Sequence, residues 1–303
     1  MFCDCRSKVA HDLDNSYSLG AQPTGLMPKM RSMPQSKKLP DFEHPPIIEA
    51  LMGVQFTPLK GWGIPHYGMF WQRIRSDYPK TSLHQPIATS ADHRKAKQGS
   101  VLELITTDKP PLRCWFVDEP ESRLIQVQDT HFLHNWRKVS GMESYPRYMD
   151  SIRPTFELEW GRFNEFLKDE AVEKPDVVEC EITYINHFEK GREWQEHADL
   201  GQMISCWSND AEHNFLPPPK LGRLQLAFPI SDDKGVLIVR LEPGVRNRDA
   251  KDILQLTVTA KGRPESSELP ELMRWFDLAR EWVVCGFTDL TTEQMHALWG
   301  RKQ

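Results

Sequence analysis

Two stretches decide how the chain folds: Leu124–Lys138, LIQVQDTHFLHNWRK, and Val178–Phe188, VECEITYINHF. Both alternate apolar and polar residues, the period of a strand with one buried and one wet face. Between them runs a pattern of helical period, in which Ile152, Phe156, Trp160, Phe163 and Leu167 make one apolar stripe. Strands with a polar face to spare, next to an amphipathic helix, predict an antiparallel sheet covered by helices on one side.

Working outward, order begins near Phe42. A strand is expected over Ile47–Leu59, with Ile48, Ala50, Met52, Val54 and Phe56 on one face. Tyr67, Phe70, Trp71, Ile74 and Tyr78 then space as a helix that Pro79 stops. Residues 80–99 read as a loop, followed by strands at Val101–Thr106, Arg113–Asp118 and Leu124–Gln128, a loop at His131–Tyr145, and a helix from Pro146 to about Glu170. The second half repeats this order. It has a strand at Val178–Phe188, a short helix at Leu200–Trp207, strands at Arg223–Ile230, Val236–Glu242 and Ile253–Lys261, and a helix at Leu269–Val284. Thr291 with Gln294 matches a capping box for a last helix ending at Trp299. The expectation is an α+β protein of two tandem strand–helix–three-strand–helix units, 41–175 and 176–303. Their antiparallel sheets, backed by helices, join edge to edge into one continuous saddle-like sheet, which removes two exposed edges. Residues 1–40 lack periodicity and read as a disordered lead-in, in which Met27, Met30 and Met33 are alternative starts.

Composition narrows the function. A net charge of −5 gives no excess of cations for phosphate backbones, which argues against nucleic acid. No run of about 18 apolar residues offers a membrane span, and the N-terminus lacks a signal pattern, which points to the cytoplasm. The 6 cysteines lack zinc-ligand spacing and read as small buried hydrophobes, so neither a metal nor a cofactor is expected.

On the side away from the helices the alternation places Glu49, Gln55, Gln126, Gln128, Glu181, Thr183, His187, Gln225, Arg240, Glu242, Gln255 and Thr257. This set fits a solvated sheet face, and equally a hydrogen-bonding surface for a partner protein or polar ligand.

Several stretches resemble a sporadically distributed family of uncharacterised bacterial proteins. They are Pro45–Glu49 with Gly53–Phe56, Gln126–Asp129 with Asn135–Lys138, Tyr145–Tyr148, Cys180–His187, Phe287–Thr291 and Met295–Gly300. The resemblance runs from about Phe42 to the end and implies no particular activity. Where the family pattern has Phe before Asn135, this chain has His134.

Candidate binding residues are Gln128, Asn135, Trp136, Arg137 and Asn186. A Trp beside an Arg in a loop can clamp a planar or anionic group, since Arg supplies a fork of donors and Trp a face. The same residues also suit a loop pinned by a buried Trp. His187 is a candidate acid–base group if Asp129 or Glu181 tunes it, although Tyr184 and Asn186 should point to the opposite face. No nucleophile elbow, Walker loop, dinucleotide glycine pattern or HExxH is present. The leading expectation is therefore a non-enzymatic binding or regulatory protein. The alternative is a hydrolase using His187, Asp129 and Arg137.

Overall fold

The computed structural model describes residues 38–87, 112–207 and 215–302. The lead-in up to residue 37 and the strand expected at Val101–Thr106 lie outside the described residues. The chain is α+β, with a single open antiparallel sheet of nine strands. In chain order these are β1 (Ile47–Phe56), β2 (Lys80–His84), β3 (Arg113–Val117), β4 (Arg123–Gln128), β5 (His131–Arg137), β6 (Val177–Glu189), β7 (Leu224–Ile230), β8 (Gly235–Arg246) and β9 (Lys251–Gly262). Five helices accompany them among the described residues: α1 (Ile64–Ile74), α2 (Arg153–Asp169), α3 (Leu200–Met203), α4 (Leu269–Leu290) and α5 (Glu293–Leu298).

The order across the sheet is β2-β3-β4-β5-β1-β6-β9-β8-β7. Each half opens with a strand that lies at the centre. It then departs through helical structure and returns as a meander whose last strand pairs with the first. The halves meet where β1 pairs with β6, Met52 opposite Ile182 and Ala50 opposite Tyr184. Val54, Ile182 and Leu256 are all buried under the helices.

Two expectations are corrected. Lys80–His84, expected in a loop, is a strand paired with β3 at the sheet's edge. Its exposed side chains carry no alternation to read. The stretch expected as the loop His131–Tyr145 begins with β5, joined to β4 by the two-residue turn Asp129–Thr130. Asn135, Trp136 and Arg137 are thus strand residues with alternating directions. Smaller adjustments follow local chemistry. A single π turn at Tyr148–Ile152 precedes α2, which begins just before Pro154. Thr292, not Thr291, caps α5, while the Thr291 hydroxyl donates to Phe287 O.

Aromatic rings fill the space between sheet and helices. Phe132 of β5 lies 5.4 Å from Trp160 and 5.0 Å from Phe163 of α2, centroid to centroid, and Phe156 of α2 lies 5.0 Å from Phe276 of α4. Polar side chains also enter this layer. His134, on the helix side of β5, is 1% exposed and Glu159 of α2 is 2% exposed. His134 Nδ1 is 2.7 Å from Glu159 Oε2, and the Tyr78 hydroxyl donates to Glu159 Oε1. A buried carboxylate is tolerable here because both oxygens have partners.

Removing that carboxylate strands two buried polar groups, each at a cost of about 1–3 kcal/mol. Glu159→Ala is therefore expected to lower unfolding stability by about 3 kcal/mol in urea titrations. Lys60→Ala, which deletes only the exposed Lys60–Glu173 pair, should change it by less than about 0.5 kcal/mol. Equal effects of the two substitutions would refute this account of the layer.

Candidate functional site

The face away from the helices carries the polar residues that the alternation assigns to it, but its two halves differ. On the second half, Arg240, Glu242 and Gln225 are exposed. On the first half the polar groups are buried and linked strand to strand. Arg113 Nη1 donates to Gln126 Oε1 (3.1 Å), Gln126 Nε2 to Asn135 Oδ1 (2.7 Å), and Asn135 Nδ2 to Glu49 Oε1 (2.6 Å). Gln128 holds the chain at Ile87 through both backbone groups, accepting from its N–H (2.8 Å) and donating to its carbonyl (3.1 Å). Gln128 and Asn135, both candidate binding residues, therefore spend their hydrogen bonds inside the fold. Trp136 is buried on the helix face against Tyr145, and Asn186 donates to Leu256 O.

Arg137 and His187 are placed differently. Both line a cleft of about 890 Å³ at the end of the sheet, where β1 begins and β5 and β6 end. Arg137 donates to Glu121 O (3.0 Å) and lies 5.4 Å from the Trp115 ring centroid, while its Nε is buried with no partner. His187 Nε2 lies 3.3 Å from Gln255 Oε1, and its Nδ1 is likewise buried and unpartnered. Burial pushes the His187 pKa below its ordinary value, with Gln255 opposing and Arg246 reinforcing the shift. The ring is accordingly neutral at pH 7.

The hydrolase constellation is not assembled. Asp129 O accepts from Leu59 N beyond one end of β1, whereas His187 N donates to Pro46 O beyond the other. Ten residues of strand separate those ends, about 30 Å at 3.3 Å per residue. Glu181 faces Lys261 rather than His187.

Sequence patterning did not single out the rest of the cleft, because it comes from loops of both halves. Lys138 follows β5. Arg248 lies in the β8–β9 turn, its guanidinium seated on Gly141: a Cβ there would lie 2.2 Å from Arg248 Nη1, and Gly141 sits at φ +90°. Arg147 is held at φ 64°, ψ 144°, a region that non-glycine residues rarely occupy and that costs on the order of 1–3 kcal/mol. Its bonds to Asp41 and to Phe42 O hold it there.

Counting partners decides the character of the cleft. Most of its carboxylates are already engaged. Glu143 accepts from the backbone N–H groups of Ser140 and Gly141, Glu49 from Asn135, and Glu193 from Glu189 N and Trp299 Nε1. Glu189 is clasped by Arg246 and Lys251. Lys138, by contrast, has no ion pair among the described residues, and Arg248 only a distant one, 3.9 Å from Asp249. Burial lowers the Lys138 pKa; nearby Glu143 opposes this, while Arg248 and Arg192 add to it. An anion in the cleft would relieve that repulsion. Among the described residues no cluster of His, Cys, Asp or Glu could hold a metal ion, and no helix is long and apolar enough to cross a membrane.

The Glu189 clasp has a pH signature. The Arg246 hydrogen bond, aided by Lys251, holds its carboxyl at about 2 despite partial burial. Because the folded value is depressed, the unfolded chain binds the extra proton. The stabilisation is therefore complete above about pH 4.5 and is lost as the pH falls toward 2. Glu189→Gln should flatten the acid limb of the stability–pH profile followed by circular dichroism. An unchanged limb would exclude the clasp as its source.

No family model matches the chain, and no curated protein or solved structure is similar to it.

Proposed function

We propose that this chain is a non-enzymatic binding protein of the cytoplasm that takes a small polar anion in the cleft at the end of its sheet. The single observation that carries this reading is the pair Arg137 and His187 on the wall of a large polar cleft, each with a buried nitrogen, Nε and Nδ1, that lacks a partner. Buried polar atoms are nearly always paired, so an unpaired set at a cleft suits a ligand that completes it. Lys138 and Arg248 add cations that make no close ion pair among the described residues. A planar, multiply charged oxyanion fits the guanidinium fork of Arg137 together with the point charge of Lys138. Cys114, Cys180 and Cys206 form no disulfide, which suits a reducing compartment. The separation of Asp129 from His187 speaks against the hydrolase alternative.

Isothermal titration with inorganic pyrophosphate and with malonate tests the reading. The wild type should bind at least one of them, more weakly as salt rises. Arg137→Gln and Lys138→Ala should each weaken binding by tenfold or more, about 1.4 kcal/mol, with thermal stability retained. Absence of binding by the wild type to either anion, or equal binding by both variants, would overturn it.

A further inference from the structure

Behind the cleft lies a second cavity of about 510 Å³, which shares with it the wall of Pro45, Tyr145 and Arg147. Its volume falls within the roughly 300–1,000 Å³ range of small-molecule sites. Its character is the reverse of the cleft's. Phe42, Ile47, Val284 and Phe287 supply apolar walls, and the polar groups converge at one side. There the hydroxyls of Tyr145 and Tyr184 lie 2.8 Å apart. Burial, chiefly, pushes both phenols above their ordinary pKa, the Tyr184 hydroxyl adding to the rise at Tyr145. Both remain protonated; one donates to the other, which leaves a single hydroxyl free to donate.

Beside them stands Arg280 of α4. Its guanidinium lies 5.0 Å from the Tyr148 ring centroid. The Tyr148 hydroxyl donates to Asp277 (3.0 Å), which Arg153 grips with two bonds of 3.0 and 3.3 Å. The platform under Arg280 is thus fixed from outside the cavity. Arg280 itself has no ion pair among the described residues, and its Nε is buried without a partner. The other arginine on the wall, Arg147, is matched by Asp41. Lys38 and Asp150, also on the lining, are exposed at the rim. The guanidinium of Arg280 is therefore the inner positive charge left without an ion pair, beside the apolar walls.

We propose that this cavity is a binding site for a small monocarboxylic acid with an aromatic or branched apolar body. The carboxylate rests on Arg280 and the one tyrosine hydroxyl left free to donate, and the body lies among Phe42, Ile47, Val284 and Phe287. A carboxylate presents two coplanar oxygens to the guanidinium fork, and its single charge equals the single charge left unmatched. A multiply charged anion would bring uncompensated charge into an apolar chamber, which is costly. This site stands independently of the polar cleft.

The test is isothermal titration of the full chain with benzoate, phenylacetate, indole-3-acetate and 4-methylpentanoate, and with benzamide and phenylacetamide as uncharged counterparts. At least one acid should bind one-to-one, and an aryl acid that binds should do so at least tenfold more tightly than its amide. Arg280→Gln should weaken that binding tenfold or more, whereas Arg137→Gln should leave it unchanged. Val284→Trp, which fills the chamber, should abolish it while cooperative melting persists. The proposal is overturned if the wild type binds none of the four acids up to about 10 mM, a concentration that spans even weak millimolar binding. It is equally overturned if the amides bind as well as the acids, or if binding survives both Arg280→Gln and Val284→Trp.

Discussion

The antiparallel pairing of β1 with β6 is the constraint from which the rest of the molecule follows. It joins two meanders at their first strands and converts two edges into a ladder. Among the described residues the outermost strands are β2, which is short and carries Lys80, and β7, which contains Pro229, both ordinary devices against edge-to-edge association. The register also sets where loops gather. The start of β1 lies beside the end of β6, and β5 ends alongside the start of β1. Three chain segments from both halves therefore converge on one rim, and the polar cleft and the aromatic cavity lie on either side of it.

The two faces of the sheet solve the problem of polar burial in different ways. On the helix side an aromatic layer excludes water, and the His134 ring is admitted because Glu159, itself held by the Tyr78 hydroxyl, meets it there. This is the position at which the resemblance led one to expect Phe. On the opposite side of the first half, amides and carboxylates bridge neighbouring strands in series from Arg113 to Glu49. That series ends beside Arg137, so the buried polar face supports the cleft. Its residues hold the site in place and leave recognition to the rim.

The cleft and the cavity differ in the charged groups left without close partners. In the cleft, six carboxylates and as many cations line one space, and formal counting alone would call it neutral. The carboxylates, however, are mostly committed to backbone amides, to Asn135 or to Arg246, which leaves Arg137, Lys138 and Arg248 as the groups with capacity to spare. In the cavity the same accounting leaves Arg280 alone.

Local periodicity by itself determined most of the elements and the direction of their side chains. The period of two in VECEITYINHF put Ile182 in the core and His187 on the outer face, and the period near 3.6 after Ile152 marked α2. It failed where a strand breaks its own pattern. β5 has His134 inward and Leu133 outward, and β2 is wet on both faces. Only the tertiary structure decided which residues meet. Asp129 and His187 both follow strand patterns yet lie at opposite ends of β1, while Lys138 and Arg248, more than a hundred residues apart, share a cleft. The physical reason is that alternation records how a side chain faces its own sheet, whereas neighbourhood depends on strand pairing and helix packing between segments far apart in the chain.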